Sequence, residues 1–451
     1  MAEKKLNILI GVHQFFPDFR NGTEVLTLEL ARGLRTRGHS VQVLSGAPEQ
    51  AGGKKSPPWL TQDRYEDIPV HRLHFAKARL QDDPLALHFS APERIRLIQD
   101  LVARLRPDLV HFNHIMGFSA QIIPEIKKMG TPVIFTPTDF WTVCPIATLY
   151  KPFDRTICNG PEAAECVRCF SAMPIWASRL AVKAAQLPFL GRMSGAVRTL
   201  YSVGQRLKFM TASVNVADRV LPSTRFLAAV LTGHGVDAGR IKVVPYGIDI
   251  GRVPERTAIP PHFTEASPLR LGFIGTLAEL KGPHVILDAL SLLGNKGRQL
   301  IVDIYGKLDP TAPYCGRLLR KADQLGAGVR FKGTFSHEKI GEIMSTLHLL
   351  AVPSLWYEST PLVLCSALAA GTPALVSRLG GMTEVVEDGV NGFSFPAGDA
   401  HALAKILASI LDEPARLSGI RQRMKLFTRT TSDYVDDIEK EYGMATKGPL
   451  P

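Results

Sequence analysis

Short apolar runs alternate along this chain with longer stretches in which apolar side chains return every three or four residues. "KLNILIGV" is the first such run, and "TEVLTLELARGLRTRG" follows it with helical periodicity. "SVQVLSG", "IPVHRLHF", "PDLVHFNH" and "TPVIFTP" come next, and "DRVLPST" and "IKVVPYG" continue the series. After a proline-rich segment, "GRVPERTAIPPHFTEASP", the rhythm restarts with "LRLGFIG", "QLIVDIYG", "GVRFKG", "HLLAVPS", "TPALVS" and "GFSFPAG". Each run has the length of a strand buried on both faces. Strands alternating with helices predict two α/β halves, each a parallel, doubly wound sheet. Open sheets of this kind bind ligands beyond the carboxyl ends of their strands, and two facing sheets would enclose a cleft.

The stretch "AVPSLWYESTPLVLCSALAAGTP" carries a single charge, Glu358. "HLLAVPS" predicts a buried strand ending at Pro353. Thr360 and Pro361 then read as N-cap and first helical residue, "LVLCSALAA" as the helix and Gly371 as its stop. Glu358 is therefore expected on a strand-to-helix loop, beside a helix start that favours anions. "GFIGTLAELKGPHVILDAL" repeats the arrangement: a strand ending at Gly275, then Lys281-Gly282-Pro283 opening a helix. There a backbone can approach a ligand closely and Lys281 adds a point charge, a grip suited to a diphosphate. In "SRLGGMTEVVEDGVNGF", Gly380-Gly381 is expected to precede a helix with Glu384 in its first turn. Near the start, Asn21-Gly22-Thr23 is expected to open a helix after the first strand.

With 451 residues, 45% hydrophobic and 21% charged, the chain is globular rather than disordered and long enough for two or three domains. No run approaches the ~20 apolar residues of a membrane span. The N-terminal apolar run is too short for a signal-peptide core, and six cysteines then imply a reducing compartment. The expected location is cytoplasmic or peripheral on the inner face of the cytoplasmic membrane. A net charge of +11 suits anionic partners. Lysine and arginine are dispersed and no nucleic-acid motif is present, so nucleic-acid binding is the weakest of these readings.

Three segments interrupt the rhythm. Residues 56–66 read as a polar loop. The insert 144–169 holds Cys144, Cys158, Cys166 and Cys169, the last two as C-x-x-C. Four clustered thiols fit a tetrahedral structural zinc site that would hold a loop poor in apolar residues; an iron–sulfur cluster is the lesser alternative. Cys315 and Cys365 fall in helical patterns and read as core. Residues 171–217 contain Arg179, Lys183, Arg192, Arg198, Arg206 and Lys208, no acidic residue, and interleaved Trp176, Phe189, Tyr201 and Phe209. Two readings stand side by side: a basic amphipathic surface for an anionic membrane, or helices packed on the first domain with a basic outer face.

Taken together, the Gly22-Thr23 loop, "LARGLRTRGHSVQVLSG", "VLPSTRFL", "KVVPYGID", the Lys281-Gly282 loop, Glu358 and "SRLGGMTEVVEDGVNGF" resemble the retaining glycosyltransferases of family 4, over nearly the whole chain. The resemblance implies the GT-B fold, two Rossmann-like doubly wound domains facing across a cleft. It implies transfer of a hexose-type sugar from a nucleoside-diphosphate sugar with retention, without a catalytic metal. The donor would lie mainly on the C-terminal domain and a glycan or lipid-linked acceptor on the N-terminal one, in surface polysaccharide or glycolipid assembly. Lys281 matches the family's diphosphate-binding lysine, and Glu358 the first Glu of its E-x7-E motif. The backbone from Thr360 and Pro361 through Leu362 and Val363 would hold phosphate or sugar oxygens. Gly22 matches a glycine of the N-terminal loop. Gly275, Thr276, Gly282 and Thr23 complete the expected donor set.

Three positions depart from the family pattern. Ser366 stands where the second Glu grips the ribose, and Thr276 where an arginine assists the lysine. Thr138 stands where a histidine precedes Asp139 in "TPTDFWTVCP". The "TDFW…CP" form is similar to a subgroup with a cysteine insert. His114 is a candidate substitute polar group, although a structural histidine is the simpler reading for it and for His111. The expected organisation is 1–255 (N-terminal domain), 256–268 (linker), 269–415 (C-terminal domain) and 416–451 (helical, packing back on the first domain). The alternative to an enzyme is a catalytically silent GT-B scaffold that partners an active transferase.

Overall fold

The computed structural model describes residues 4–49, 57–76, 85–171, 173–187 and 196–447. They form two compact units, 1–245 with 431–451, and 246–430. The division falls at 245/246 rather than 255. The expected linker 256–268 belongs to the second unit, as do residues 416–430. Proline-rich composition suggested a free connector. Instead Thr257 N–H donates to Ser345 O (2.9 Å) and Phe263 is buried in the second core.

In chain order the strands are β1 (Asn7–Val12), β2 (Ser40–Glu49), β3 (Trp59–Tyr65), β4 (Ile68–Ala76), β5 (Leu109–Phe112), β6 (Val133–Phe135), β7 (Tyr150–Lys151), β8 (Thr156–Ile157) and β9 (Arg219–Val220) in the first unit. The second unit holds β10 (Leu269–Ile274), β11 (Leu300–Tyr305), β12 (Val329–Gly333), β13 (Leu349–Val352), β14 (Ala374–Ser377) and β15 (Gly392–Phe395).

The first sheet runs β3-β4-β2-β1-β5-β6-β9, parallel except for the edge pair β3–β4. The expected loop at 56–66 is therefore mostly a strand. Its polar, solvent-facing residues suit an edge position. A two-residue turn at Glu66 and Asp67 closes the hairpin, both with φ in the left-handed region (47° and 62°). Without an Asn-Gly pair the turn has no strong sequence signal. "IKVVPYG" forms only a single bridge, Ile241 to Val220, because Lys242 N–H and Val244 N–H bond to β9 and its exit rather than a full ladder.

The second sheet runs β12-β11-β10-β13-β14-β15, all parallel. Its core joins strand residues such as Leu271, Val302, Leu350 and Leu375 to helix residues such as Ile286, Leu364 and Leu407. Among the parallel strands of each sheet the order reverses once. The reversal lies between β1 and β5 in the first unit and between β10 and β13 in the second. Loops leaving adjacent strands at such a point diverge and open a crevice at the carboxyl edge.

The helix Thr431–Thr446 belongs to the first unit. Tyr434, Val435, Ile438 and Tyr442 are buried, and a Cβ at Gly33 would press on Val435. His111 on β5 bonds Tyr442 Oη (2.7 Å) and Thr136 Oγ1 (2.8 Å) through its two ring nitrogens.

Candidate functional site

The second unit brings Lys281 and Glu358 together at its strand-order reversal. Lys281 follows β10 and Glu358 follows the neighbouring β13. Lys281 Nζ lies 2.7 Å from Glu358 Oε1. The same oxygen accepts from Ser354 Oγ (2.7 Å) and Trp356 Nε1 (2.9 Å). Lys281 Nζ also sits 5.0 Å from the Trp356 ring centroid, a cation–π contact. Glu358 is buried, whereas the Lys281 side chain is 31% exposed, so the ammonium remains reachable from solvent. Three donors on one oxygen fix the orientation of the carboxylate.

Backbone contacts lock the two loops together. Leu355 N–H donates to Leu280 O (2.8 Å), and Gly381 N–H to Glu358 O (3.2 Å). Gly282 has φ +72°, and a Cβ there would collide with Pro353 O. This is the close approach expected of a glycine beside Lys281, but its neighbour is the Glu358 loop itself. Gly381 is equally tight against Ser359 O.

The helix after Glu358 spans Leu362–Ala369 with Pro361 as its cap, one residue later than expected. The first N–H groups of a helix have no intrahelical acceptor, and here these are the N–H groups of Leu362 and Val363. Gly275 N–H is used by Tyr305 O (3.0 Å), and Thr276 is exposed beyond it. Ser366 is buried, its Oγ donating to Leu362 O (3.0 Å). Its hydroxyl is turned onto its own helix, away from the role expected for the second carboxylate position. Gly380–Glu384 forms a short 3-10 helix with Glu384 at its end rather than in the first turn of an α-helix. Val385 N–H and Val386 N–H both return to Met382 O, which ends the coil there.

The first unit gathers a second polar cluster at its own reversal, from the loops after β1, β5 and β6. Asn21 caps the helix Gly22–Thr36, with Glu24 completing a capping box. Thr23 Oγ1 lies 3.0 Å from Thr138 Oγ1. His114 Nε2 lies 3.0 Å from Asp139 Oδ2, and Asp139 Oδ1 accepts from Trp141 N–H (2.8 Å). His13 packs on His114, ring centroids 4.4 Å apart, and its Nε2 is 3.5 Å from Glu24 Oε1. Burial alone would raise Asp139; the charge and hydrogen bond of His114 outweigh it and hold the carboxyl below its ordinary range. Burial raises Glu24 and, with His114 beside it, pushes His13 down to about 3. Sequence reasoning missed His13, Glu24, Ser354 and Trp356. The N-x-x-E spacing at Asn21 was a signal for Glu24. The other three become visible only when neighbouring loops are known.

Cys144, Cys158, Cys166 and Cys169 line one small pocket. Among the described residues, no group of three or more His, Cys, Asp or Glu side chains already stands at metal-holding geometry. Residues 173–187 and 196–217 are largely helical, as Ile175–Ala185 and Ala196–Val214. Arg179, Lys183, Arg198 and Lys208 are exposed, but Arg206, expected with them, is buried. Arg192 and Phe189 lie outside the described residues. Among the described residues no helix is long and apolar enough to cross a membrane.

Solved structures share this architecture across almost the whole chain. HepE of Anabaena, crystallised with UDP, superposes with a TM-score of 0.62 at 18% identity, covering 97% of this chain and 100% of that one. Sucrose-phosphate synthase of Thermosynechococcus elongatus gives 0.63 at 17% identity, covering 98% of each. The two Rossmann-like units are thus those of a GT-B glycosyltransferase fold. The chain belongs to the family-4-type glycosyltransferases. The profile "Glycosyl transferase 4-like domain" matches residues 21–247, and "Glycosyl transferases group 1" matches 256–429. D-inositol 3-phosphate glycosyltransferase of Mycolicibacterium smegmatis is 33% identical over 212 residues, 46% of this chain and 48% of that protein. Its namesake, D-inositol 3-phosphate glycosyltransferase 2 of Catenulispora acidiphila, is 30% identical over 226 residues, 46% of this chain and 50% of that protein. The chain spans about half the length of the curated relatives it matches.

Proposed function

We propose that this chain transfers a hexose-type sugar from a nucleoside-diphosphate sugar, with retention at the anomeric carbon and without a catalytic metal. The acceptor in this reading is a glycan or lipid-linked glycan of a surface polysaccharide or glycolipid. The observation that carries it is the Lys281–Glu358 pair at the strand-order reversal of the second unit. The partly exposed Lys281 ammonium, with the N–H groups of Leu362 and Val363, offers positive potential to a diphosphate. Charge builds on that diphosphate as the sugar leaves, so these fixed groups would stabilise the transition state more than the ground state. Glu358, pinned by Lys281, Ser354 and Trp356, would orient the donor sugar. The cluster Thr23, Thr138, His114 and Asp139 supplies polar groups from the first unit: Thr23 for the donor, Thr138 and Asp139 as catalytic groups. The UDP bound by HepE supports a nucleotide-sugar donor.

The helix Ile175–Ala185 supports an acceptor at an anionic membrane surface on the cytoplasmic side. Ser178, Val182 and Ala185 face inward; Trp176 is 67% and Leu180 63% exposed, with Arg179 and Lys183 beside them.

Calorimetry of the intact protein against UDP, GDP, ADP and their sugar conjugates tests the donor claim. One base should bind, and Lys281→Ala should weaken it about tenfold or more, the loss of a charge-assisted contact. No binding by any base would overturn the enzyme reading. Ser366, its hydroxyl committed to Leu362 O, favours the second reading, a silent GT-B scaffold. Donor turnover that disappears in Glu358→Ala and survives in Glu49→Ala decides for the enzyme.

A further inference from the structure

Arg206 lies on the helix Ala196–Val214 and is 2% exposed. Its guanidinium donates to Trp141 O, Thr142 O (3.4 Å), Val143 O (3.3 Å) and His88 Nδ1 (3.1 Å). These are neutral acceptors, and among the described residues no carboxylate pairs with it. A buried cation without a counter-charge is strongly unfavourable. Val143, whose carbonyl Arg206 meets, directly precedes Cys144, and Val203, one turn before Arg206 on the same helix, packs in one apolar cluster with Cys166.

Those two cysteines share their pocket with Cys158 and Cys169. The insert around them has little to hold it. Its strands β7 and β8 have two residues each, and its helix, Ala163–Arg168, has six. Three non-glycine residues, Ala147, Leu149 and Arg155, adopt left-handed φ of 64°, 47° and 57°. Such conformations persist only where something else fixes the chain. The apolar cluster beneath it is small: Leu85, Cys166, Val167, Val182 and Val203.

We propose that Cys144, Cys158, Cys166 and Cys169 bind one zinc ion as a tetrathiolate, and that Arg206 is the buried charge partner of that centre. Four thiolates around a divalent cation carry a net double negative charge, the counter-charge Arg206 otherwise lacks. In binding, four S–H bonds break, four S–Zn bonds form, and the protons leave to solvent. Cys158 Sγ lies 3.1 Å from Gly160 O. Among the described residues no three His, Cys, Asp or Glu side chains already stand ready for a metal, so binding in this proposal draws Cys158 from that carbonyl toward the other three thiols.

The test is metal content of the full chain purified without chelators, with zinc release by a mercurial followed with a chromogenic indicator. About one zinc per chain is expected. Cys158→Ser and Cys169→Ser should lose it, whereas the core variant Cys315→Ala should retain it. Arg206→Met should speed zinc loss to a chelator about tenfold, and Arg206→Lys should restore the slower rate, which a purely packing role would not. Wild-type protein overturns the proposal if it lacks zinc and has four reactive thiols, has a mass two hydrogens lower, or contains iron instead. If the cysteine variants do not fold, wild-type stoichiometry still decides.

Discussion

Glu358 was legible in the sequence because a lone charge after a strongly apolar run has few structural uses, and Lys281 because Lys-Gly-Pro reads as a helix entry. What could not be read is that both charges meet Trp356 and Ser354 on one oxygen. That depends on β10 and β13 being neighbours, which the chain order of strands does not reveal. Two outcomes follow at this scale. Glu358→Gln keeps the shape and removes the charge; donor turnover should fall about 10²-fold, with nucleotide binding changed little. Steady-state rates beside calorimetric affinities on the same samples check the separation. Gly282→Ala places a methyl against Pro353 O at left-handed φ, and should destabilise the second unit by about 1–3 kcal/mol, read from urea melts.

Among elements, periodicity was informative where one face is buried and silent where residues of one type take opposite roles. Arg206 and Lys208 are two positions apart on one helix, one buried and one exposed. Composition treats them alike; the helix sets them on different faces. The hairpin β3–β4 escaped notice for a related reason, since its turn uses Glu66-Asp67 rather than a glycine. The outer stripe of Ile175–Ala185 gives a prediction. The protein should float with vesicles containing anionic lipid and not with zwitterionic ones. Trp176→Ala with Leu180→Ala should reduce flotation several-fold, and raised salt should do the same. Equal flotation of the double variant and the parent would remove this helix from membrane binding.

On the scale of the whole molecule, alternation of strands and helices revealed two doubly wound halves, but the boundary did not follow composition. Proline-rich sequence at 256–268 is folded structure, and the first unit takes its last helix from beyond the second. His111, buried under that helix, gives a pH dependence. Burial holds it neutral, down to about 3, whereas an unfolded histidine titrates near 6.5. Both states are neutral above that value. As pH falls below it, only the unfolded chain takes up the proton, so stability is lost progressively toward pH 3. At pH 5 the loss is about 2 kcal/mol from this residue. His13 and His88, also pushed down to about 3, act in the same direction. Chemical denaturation at pH 7 and pH 5 should show the drop in the first unit's transition.

The helix Thr431–Thr446 has a consequence for synthesis. It presses Val435 toward Gly33, and its Glu439 meets His39 (2.6 Å) and Arg37. A ribosome releases the partners on the N-terminal side hundreds of residues before their counterparts exist. The second unit, continuous in sequence, can finish folding while the first is still waiting for its closing helix. Chains stalled at residue 430 should therefore carry a protease-resistant second unit and a first unit that remains open to digestion. Resistance of both units at that length would show that the closing helix is dispensable for the first.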